Sequence, residues 1–412
     1  MTRWMLIIVL SVLPSTVLAQ SSAKPRVKLG LEVWVERGFA PLAGKRIGLI
    51  SNPTGVTSDL RSNIDVLHEA AESKLVKLFG PEHGLRGDIF AGENVIDTTD
   101  PKTGLPVLSL YGKTAKPTPE MLDGLDALVY DMQDIGARSY TYISTMGRAM
   151  EAAAENNIEF VVLDRPNPIG GNKIEGNILD LKFQSGVGRY PIPYLYGMTP
   201  GELAQMINGE GWLAEGRKVK LHVIPMEGWR RDMWFEDTGL PWVMTSPHVP
   251  TAATAAMYAA TGILGELHVV NEGVGYTMPF HMFGAPWLDA QSLAADLSAR
   301  GLPGVLFRPL AYQVYYYKFK DEKCQGVQIY VTDPKAVELT AIQFHMMDIV
   351  RQKHPDHPLF GTNRDNMFDK VCGTDRIRKA FLDGTPIADI LAMWREGIEP
   401  FRQARAKYLL YR

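Results

Sequence analysis

The chain has 412 residues, of which 46% are hydrophobic and 22% charged, and its formal net charge is −3. This composition is typical of a folded globular protein, and it excludes a chain that is disordered over most of its length. The near-neutral charge lacks the basic excess of nucleic-acid-binding proteins, so we expect no nucleic-acid partner. The length predicts two domains, or about three at most.

The N-terminus has the pattern of a secretory signal peptide, which we place at residues 1–19. Arg3 supplies the positive charge, residues 5–13 (MLIIVLSVL) form the apolar core, and Ala19 is the small residue at the predicted cleavage site. Because the core is too short to cross a bilayer, we predict a periplasmic or secreted protein without stable membrane insertion. In such a compartment the two cysteines could form one disulfide or remain two buried thiols.

Short apolar runs alternate with helical patterns in the first half of the mature chain. The helical spacing of apolar residues predicts helices at 63–71 and from 143 to about 156. Strands of this length separated by helices pair in parallel, with both faces of the sheet covered. We therefore predict an α/β fold with an open, Rossmann-like parallel sheet. Its strands are predicted at residues 46–50, 75–79, 106–110, 127–130 and 160–163.

The second half of the chain follows a different order, in which strands precede a run of helices. This order indicates a second, smaller α+β domain, and we place the two domains at residues 24–260 and 261–412. Strands are predicted at 219–224, 305–308 and 327–331, and helices at 201–208, 290–299, 335–352, 375–383 and 386–396.

Polar, Gly- and Pro-rich segments follow four of the predicted strands at the point where each strand ends. They read S-N-P-T, G-P-E-H-G, D-M-Q-D-I-G-A-R and D-R-P-N-P in chain order. Because the carboxyl ends of parallel strands share one edge of an open sheet, these segments predict a ligand-binding crevice there. The chain has no dinucleotide fingerprint, P-loop, zinc-protease motif or nucleophile elbow. We therefore expect neither a metal nor another cofactor.

The same segments are rich in carboxylates and lie near tyrosines, a combination suited to sugar recognition. Glycoside hydrolysis requires a pair of carboxylates, one as acid and the other as nucleophile or base. Carboxylates and tyrosines occur on many protein surfaces, so this pattern alone does not specify the reaction.

Specific motifs in these segments resemble the NamZ-type exo-β-N-acetylmuramidases. The resemblance implies a Rossmann-like domain, a smaller auxiliary domain and a cleft between them. It also implies removal of N-acetylmuramic acid from the non-reducing ends of peptidoglycan fragments, so that peptidoglycan-derived sugars or muropeptides are the expected partners. The motifs are F-G-P-E-H-G (79–84), Y-D-M-Q-D-I-G-A-R (130–138), L-D-R-P-N-P (163–168), Y-G-M-T (196–199) and T-G-L-P-W (238–242).

Glu82, in the G-P-E-H-G motif, is the catalytic residue that the resemblance implies, and we predict that it protonates the leaving oxygen. This role needs a raised pKa, which partial burial would supply. A second carboxylate, Glu272 or Asp134, or the acetamido group of the substrate, would complete the mechanism. Six further residues are predicted to bind substrate: Asn52, His83, Arg138, Tyr140, Asn167 and Glu175.

Several of these residues have structural alternatives. Asp134 and Arg138 could pair with each other, Asn167 could shape a turn, and Glu175 could be a solvated loop charge. Glu82 could be an acid at a helix N-terminus. Residues 314–317 (VYYY) are predicted as a strand with aromatic packing, and a sugar platform is the alternative.

Two positions depart from the pattern of the family. His248 stands where an asparagine is usual, and Val274 where an arginine is usual. An arginine could bind the lactyl carboxylate of muramic acid, so Val274 predicts an altered recognition of that group. A catalytically silent muropeptide-binding protein is therefore the alternative function.

Overall fold

The computed structural model describes residues 26–85 and 97–412. The predicted signal peptide lies outside the described residues. Seven strands form one sheet and three strands form another, which confirms the predicted α/β class with a second, smaller unit. The larger sheet contains β1 (Arg46–Ser51), β2 (Lys74–Gly80), β3 (Thr98–Thr99), β4 (Pro106–Ser109), β5 (Ala127–Asp131), β6 (Glu159–Leu163) and β7 (Leu221–Ile224). The smaller sheet contains β8 (Met282–Ala285), β9 (Val305–Gln313) and β10 (Lys323–Val331).

The helices of the described residues surround both sheets. In the first half they are α1 (Gly30–Glu36), α2 (Asn63–Glu69), α3 (Pro119–Leu122), α4 (Tyr142–Glu155) and α5 (Pro200–Gly209). In the second half they are α6 (Ala252–Thr261), α7 (Ala290–Ala299), α8 (Leu339–Lys353), α9 (Asp365–Cys372), α10 (Arg376–Leu382), α11 (Ile387–Trp394) and α12 (Ile398–Arg405). None of the described helices is long and apolar enough to cross a membrane.

The larger sheet has the strand order β3-β4-β2-β1-β5-β6-β7. Apart from the antiparallel edge strand β3, all neighbouring strands are parallel. Without β3, this is the order of a Rossmann sheet, whose connections change direction between β1 and β5. The carboxyl ends of β1, β2, β5 and β6 therefore lie on one edge, as the sequence predicted.

Two apolar clusters cover the two faces of this sheet. On one face, Leu31 and Trp34 of α1 and Leu67 of α2 pack against β1, β5 and β6. On the other face, a larger cluster includes Met146 of α4 and continues without a break to Phe344 of α8. Each fully buried side chain of this size contributes about 1.5–3 kcal/mol to stability. One core thus joins the larger sheet to the smaller unit, and the predicted domain boundary at residue 260 stays a prediction.

Two elements of the fold differ from the predictions, and the state of the two cysteines decides between the two alternatives left open for them. Residues 314–317 do not continue β9 as a strand, because the chain turns there through the left-handed backbone of Tyr317, with a φ of 75°. Helix α6 was missed, since its sequence (AATAAMYAAT) is small and apolar on nearly every side and shows no amphipathic stripe. Cys324 and Cys372 are both buried and free, so the disulfide alternative is wrong.

Candidate active site

Glu82 lies in a tight turn just after β2, at the carboxyl edge of the larger sheet. The Gly84 amide donates to the Pro81 carbonyl at 2.9 Å, and His83 adopts a left-handed φ of 70°. A left-handed conformation costs a non-glycine residue roughly 1–2 kcal/mol, so the surrounding contacts must hold this turn in place. The partly buried Glu82 carboxylate accepts a hydrogen bond at Oε2 from the hydroxyl of Thr141, at 2.7 Å. The turn and this hydrogen bond together orient the carboxylate.

Thr141 is itself held rigidly by the aromatic residues on either side of it. Tyr140 donates from its hydroxyl to the Thr245 hydroxyl at 2.8 Å, and Tyr142 donates to the Thr245 carbonyl. The rings of Tyr140 and Tyr142 meet edge to face, with their centroids 4.9 Å apart. The position of the Thr141 hydroxyl, and with it that of Glu82, is therefore set by a packed aromatic cluster.

Tyr258, on α6, lies within electrostatic range of three carboxylates. Burial raises the pKa of Tyr258 to about 12, and the charges of Glu266, Glu82 and Asp134 act in the same direction. The Tyr258 hydroxyl lies 3.0 Å from the hydroxyl of Ser139. At neutral pH this phenol is protonated, so it can donate a hydrogen bond to Ser139.

Asn52, after β1, has a buried donor that no described residue satisfies. Its Oδ1 accepts hydrogen bonds from the amide and the hydroxyl of Thr54, at 3.0 and 2.6 Å. Its Nδ2 is buried and forms no hydrogen bond of normal geometry in the described part of the chain, although the Asn52 side chain lies close enough to the Tyr142 hydroxyl to act on its pKa. An unsatisfied buried donor costs about 1–3 kcal/mol, and such exceptions call for a functional explanation. Asn52 thus stays a predicted substrate-binding residue. We call Asn52, Glu82, His83, Tyr140 and Thr141 the sheet-edge group.

Asp134 lies in the loop after β5 and is almost completely buried. Its Oδ2 accepts hydrogen bonds from the Gly136 amide, at 2.7 Å, and from the Tyr196 hydroxyl. Burial raises the pKa of Asp134 to about 6, although both hydrogen bonds oppose the shift. Its other oxygen, Oδ1, is buried without a partner among the described residues. A catalytic role for Asp134 stays a prediction.

Arg138 has a structural role in place of the predicted substrate-binding one. Its guanidinium is fully buried and does not pair with Asp134, so that alternative is also wrong. Burial lowers the pKa of Arg138 to about 10. The two terminal nitrogens of the guanidinium donate to main-chain carbonyls, while Nε is buried without a partner among the described residues. The side chain therefore ties the loop after β6 to the end of α9. The acceptors are the carbonyls of Asn177, Ile192, Val371 and Cys372, at 2.7–3.2 Å.

Both polar atoms of the Asn167 side chain also form hydrogen bonds within the protein. Its Nδ2 donates to the Met198 carbonyl at 3.0 Å, and its Oδ1 accepts from the Ile169 amide at 3.2 Å. A Cβ at Gly136 would lie only 2.4 Å from that same oxygen, so the backbone of Gly136 covers it. Asn167 therefore shapes the loop, as the structural alternative supposed, and does not fit substrate binding.

Glu175 caps helix α8 and does not fit the predicted contact with substrate. Its carboxylate accepts hydrogen bonds from the amides of Leu339 and Thr340, at 3.3 and 2.8 Å, and from the Thr340 hydroxyl at 2.9 Å. A carboxylate at a helix N-terminus satisfies free amides and complements the helix dipole. Since Glu175 is buried, the alternative of a solvated loop charge is wrong as well.

The loops of the smaller unit contribute an ion pair, which Glu272 and Lys318 form. Glu272 is 2% exposed at its side chain and pairs with the ammonium of Lys318, at 2.7 Å. The same ammonium lies within hydrogen-bond distance of the carbonyls of Leu264, Gly265 and Leu267. We call Glu272 and Lys318 the ion-pair group.

His248 lies within electrostatic range of one residue of the ion-pair group and one residue of the sheet-edge group. Burial lowers the pKa of His248, while the charge of Glu272 raises it and His83 lowers it. Glu272 and His83 therefore both lie within electrostatic range of His248. One residue from each group, Glu272 and His83, thus acts on the same imidazole although the two are far apart in the sequence.

Val274 does not form an exposed surface next to Glu272. Its side chain is 5% exposed and belongs to the large apolar core. Its carbonyl accepts a hydrogen bond from Asn271, at 2.8 Å. In this protein the cation beside Glu272 is therefore Lys318, which comes from a different loop.

Three residues of the site were missed from the sequence: Thr141, Tyr258 and Lys318. Thr141 gave a signal, because it directly follows Tyr140, which was predicted to bind substrate. Lys318 gave a weak signal, because it directly follows the aromatic run VYYY. Tyr258 gave none, since it lies in the alanine-rich α6. In the described ranges, no three His, Cys, Asp or Glu side chains are grouped so that they could hold a metal ion.

Comparisons with known proteins agree with the resemblance in the loop motifs. Models of the exo-β-N-acetylmuramidase NamZ match the chain at residues 47–253 for the N-terminal domain and 256–411 for the C-terminal domain. The peptidoglycan β-N-acetylmuramidase NamZ of Bacillus subtilis is 44% identical over 392 residues, which cover 95% of this chain and 93% of that protein.

Two solved structures from Bacteroides fragilis, both described as DUF1343 family proteins, have the same fold. One is 51% identical with a TM-score of 0.90, and the other is 31% identical with a TM-score of 0.75. Each match covers 94% of this chain and 99% of the solved chain. The chain therefore belongs to the NamZ family of exo-β-N-acetylmuramidases.

Proposed function

We propose that this protein is an exported exo-β-N-acetylmuramidase, which releases N-acetylmuramic acid from the non-reducing ends of peptidoglycan fragments. Family membership supports the reaction class, because the relative from Bacillus subtilis matches nearly the whole chain and is named for this activity. The observation that carries the proposal for the site is the oriented Glu82 carboxylate, on the carboxyl edge of the sheet.

In the proposed mechanism Glu82 is the general acid. The Thr141 hydroxyl donates to Oε2, so Oε1 is the oxygen that we assign to the transferred proton. A carboxyl group with a fixed orientation can deliver that proton to the leaving oxygen as the glycosidic bond breaks. The aromatic cluster around Thr141 supplies the rigidity that this alignment needs.

Glu272 is the second carboxylate of the proposed mechanism. Bond cleavage creates positive charge on the sugar ring, and a carboxylate close to the ring stabilises that charge or attacks the anomeric carbon. We favour Glu272 over Asp134 because the Asp134 carboxylate accepts hydrogen bonds from Gly136 and Tyr196, whereas the charge of Glu272 acts on His248, as that of His83 does.

The substrate would lie in a cleft between the two units of the protein. Glu82, His83 and Asn52 would form one side of this cleft, and Glu272 and Lys318 the other. The unsatisfied Nδ2 of Asn52 supports this arrangement, since an acetamido carbonyl or a hydroxyl of the sugar would accept its hydrogen bond.

Sugar release from a chromogenic β-linked N-acetylmuramide tests the reaction. We expect hydrolysis by the wild-type protein, and no hydrolysis of the corresponding N-acetylglucosaminide above background. Glu120→Gln, which changes an exposed carboxylate of α3, serves as a control and should keep full activity. Binding of the muramide without any release of sugar would contradict the proposal and favour a muropeptide-binding protein.

Export rests on the signal-peptide pattern of residues 1–19. In its native host we expect the mature protein outside the cytoplasm, with Gln20 as its first residue. N-terminal sequencing of the purified mature protein checks this, and an uncleaved Met1 would contradict it.

A further inference from the structure

Three consecutive tyrosines project from the connection between β9 and β10. Tyr315, Tyr316 and Tyr317 are 60%, 46% and 48% exposed. Scattered exposed apolar residues are common, but a contiguous exposed aromatic patch usually marks a binding surface. We call residues 315–317 the tyrosine turn.

Contacts with a neighbouring loop hold the tyrosine turn in a defined conformation. The Tyr315 amide donates to the Gly275 carbonyl at 2.8 Å, which fastens the turn to the loop that carries Glu272. A Cβ at Gly275 would lie 1.9 Å from the Tyr316 carbonyl oxygen, so the two loops are in close contact. Left-handed φ angles of 75°, 62° and 65° set the path of the turn at Tyr317, Phe319 and Asp321. Such backbone strain is stored mainly where function requires it.

The turn lies directly beside the proposed catalytic groups. The Tyr316 hydroxyl is 3.1 Å from Nε2 of His248, and the two rings are stacked. Burial of its hydroxyl and the charge of Glu272 raise the pKa of Tyr317. Lys318, the next residue, pairs with Glu272 at 2.7 Å. The tyrosine turn is thus exposed, whereas the adjoining Glu272–Lys318 pair is largely buried.

We propose that the tyrosine turn binds the sugar on the leaving-group side of the scissile bond, in the glycan chain that remains after the terminal sugar is released. This inference rests on the proposed function. An exo-acting enzyme encloses one sugar, so the rest of the chain must leave the site along its outer surface. The neutral N-acetylglucosamine ring next to the cleaved bond has an apolar C–H face that suits an exposed aromatic ring.

Tyr315 has the geometry for this contact. Tyr276 stacks on it, with the ring centroids 5.6 Å apart and the planes at 29°. Because Tyr276 supports the ring from one side while more than half of Tyr315 remains exposed, the other side is free for a sugar. A preorganised ring of this kind loses little conformational entropy when it binds.

The test compares two substrates in wild type and in Tyr315→Ala. One is an aryl β-N-acetylmuramide, whose leaving group is not a sugar. The other is a peptide-free glycan chain with N-acetylmuramic acid at its non-reducing end. We expect the ratio of kcat/KM for the chain to that for the aryl substrate to fall about tenfold in Tyr315→Ala, mainly through KM.

Two further variants sharpen the test. Tyr315→Phe keeps the ring and should keep the ratio. Tyr330→Ala is the matched control, because Tyr330 is 45% exposed but pairs with Leu306, at the end of the β9–β10 hairpin away from the turn. An unchanged ratio in a folded Tyr315→Ala protein, or an equal loss in Tyr330→Ala, would overturn the inference.

The remaining outcomes separate this inference from the proposed function. A loss confined to chains that carry stem peptides would assign the turn to the peptide and overturn its assignment to the glycan. Calorimetric titration with the product chain, which ends in N-acetylglucosamine, gives a readout without turnover, and we expect about tenfold weaker binding in Tyr315→Ala. If the wild type releases no sugar, the proposed function fails, while this titration still decides on the turn.

Discussion

The sheet-edge group and the ion-pair group reach the same site by different routes. The carboxyl edge of the larger sheet collects many polar side chains, but most of them are used internally. Arg138, Asn167 and Asp134 hold the loops together, whereas the hydrogen bond from Thr141 uses only one carboxylate oxygen of Glu82 and leaves the other for a substrate. The loops of the smaller unit supply few polar residues, yet they place a buried ion pair and three exposed tyrosines beside the site. A position at a strand end thus brings residues together, but their hydrogen bonds decide which of them can act.

The largest effect on stability is expected from breaking the ion-pair group. Lys318→Met leaves Glu272 buried without its partner, which should lower the free energy of unfolding by about 3–5 kcal/mol. Lys379→Met, which breaks the exposed pair with Asp375, should cost at most about 1 kcal/mol. Denaturant unfolding of both variants checks this, and equal losses would show that Lys318 does not compensate a buried charge.

Substitution of Arg138 tests whether this buried side chain stabilises the loops at the sheet edge. Arg138→Met removes hydrogen bonds to four buried carbonyls and should cost about 3 kcal/mol, because unsatisfied buried groups cost about 1–3 kcal/mol each and water can relieve some of them. The folded variant should keep the wild-type KM for the aryl muramide. A large rise in KM without loss of stability would restore the predicted role in substrate binding.

Asp134 gives the sheet edge a distinct pH dependence. Its pKa in the folded protein is raised to about 6, so its contribution to stability is complete below the unfolded pKa of 3.8 and is lost as the pH rises through 6. A shift of this size corresponds to about 3 kcal/mol. Relative to Asp134→Asn, the wild type should therefore lose up to about 3 kcal/mol between pH 4 and pH 7. Parallel stability curves of the two proteins would contradict the raised pKa.

The sequence predicted the strands and the edge at which they end, because short apolar runs between helices leave few alternatives to a parallel sheet. It also identified the turn that holds Glu82. It could not assign Glu175, since the amides that this carboxylate caps belong to Leu339 and Thr340, more than 160 residues later in the chain. The residues of the tyrosine turn were predicted as part of a strand because tyrosine favours strands. The contact with Gly275 that bends the chain there is distant in the sequence, so the local pattern does not show it.

The role of Glu82 as general acid is tested most directly by the leaving group. A leaving group of low pKa departs without a proton, whereas a sugar hydroxyl needs one. Glu82→Gln should therefore lower kcat/KM for the glycan chain by roughly a hundred- to ten-thousandfold, and that for a dinitrophenyl muramide far less. An equal loss on both substrates in a folded protein would contradict proton donation by Glu82.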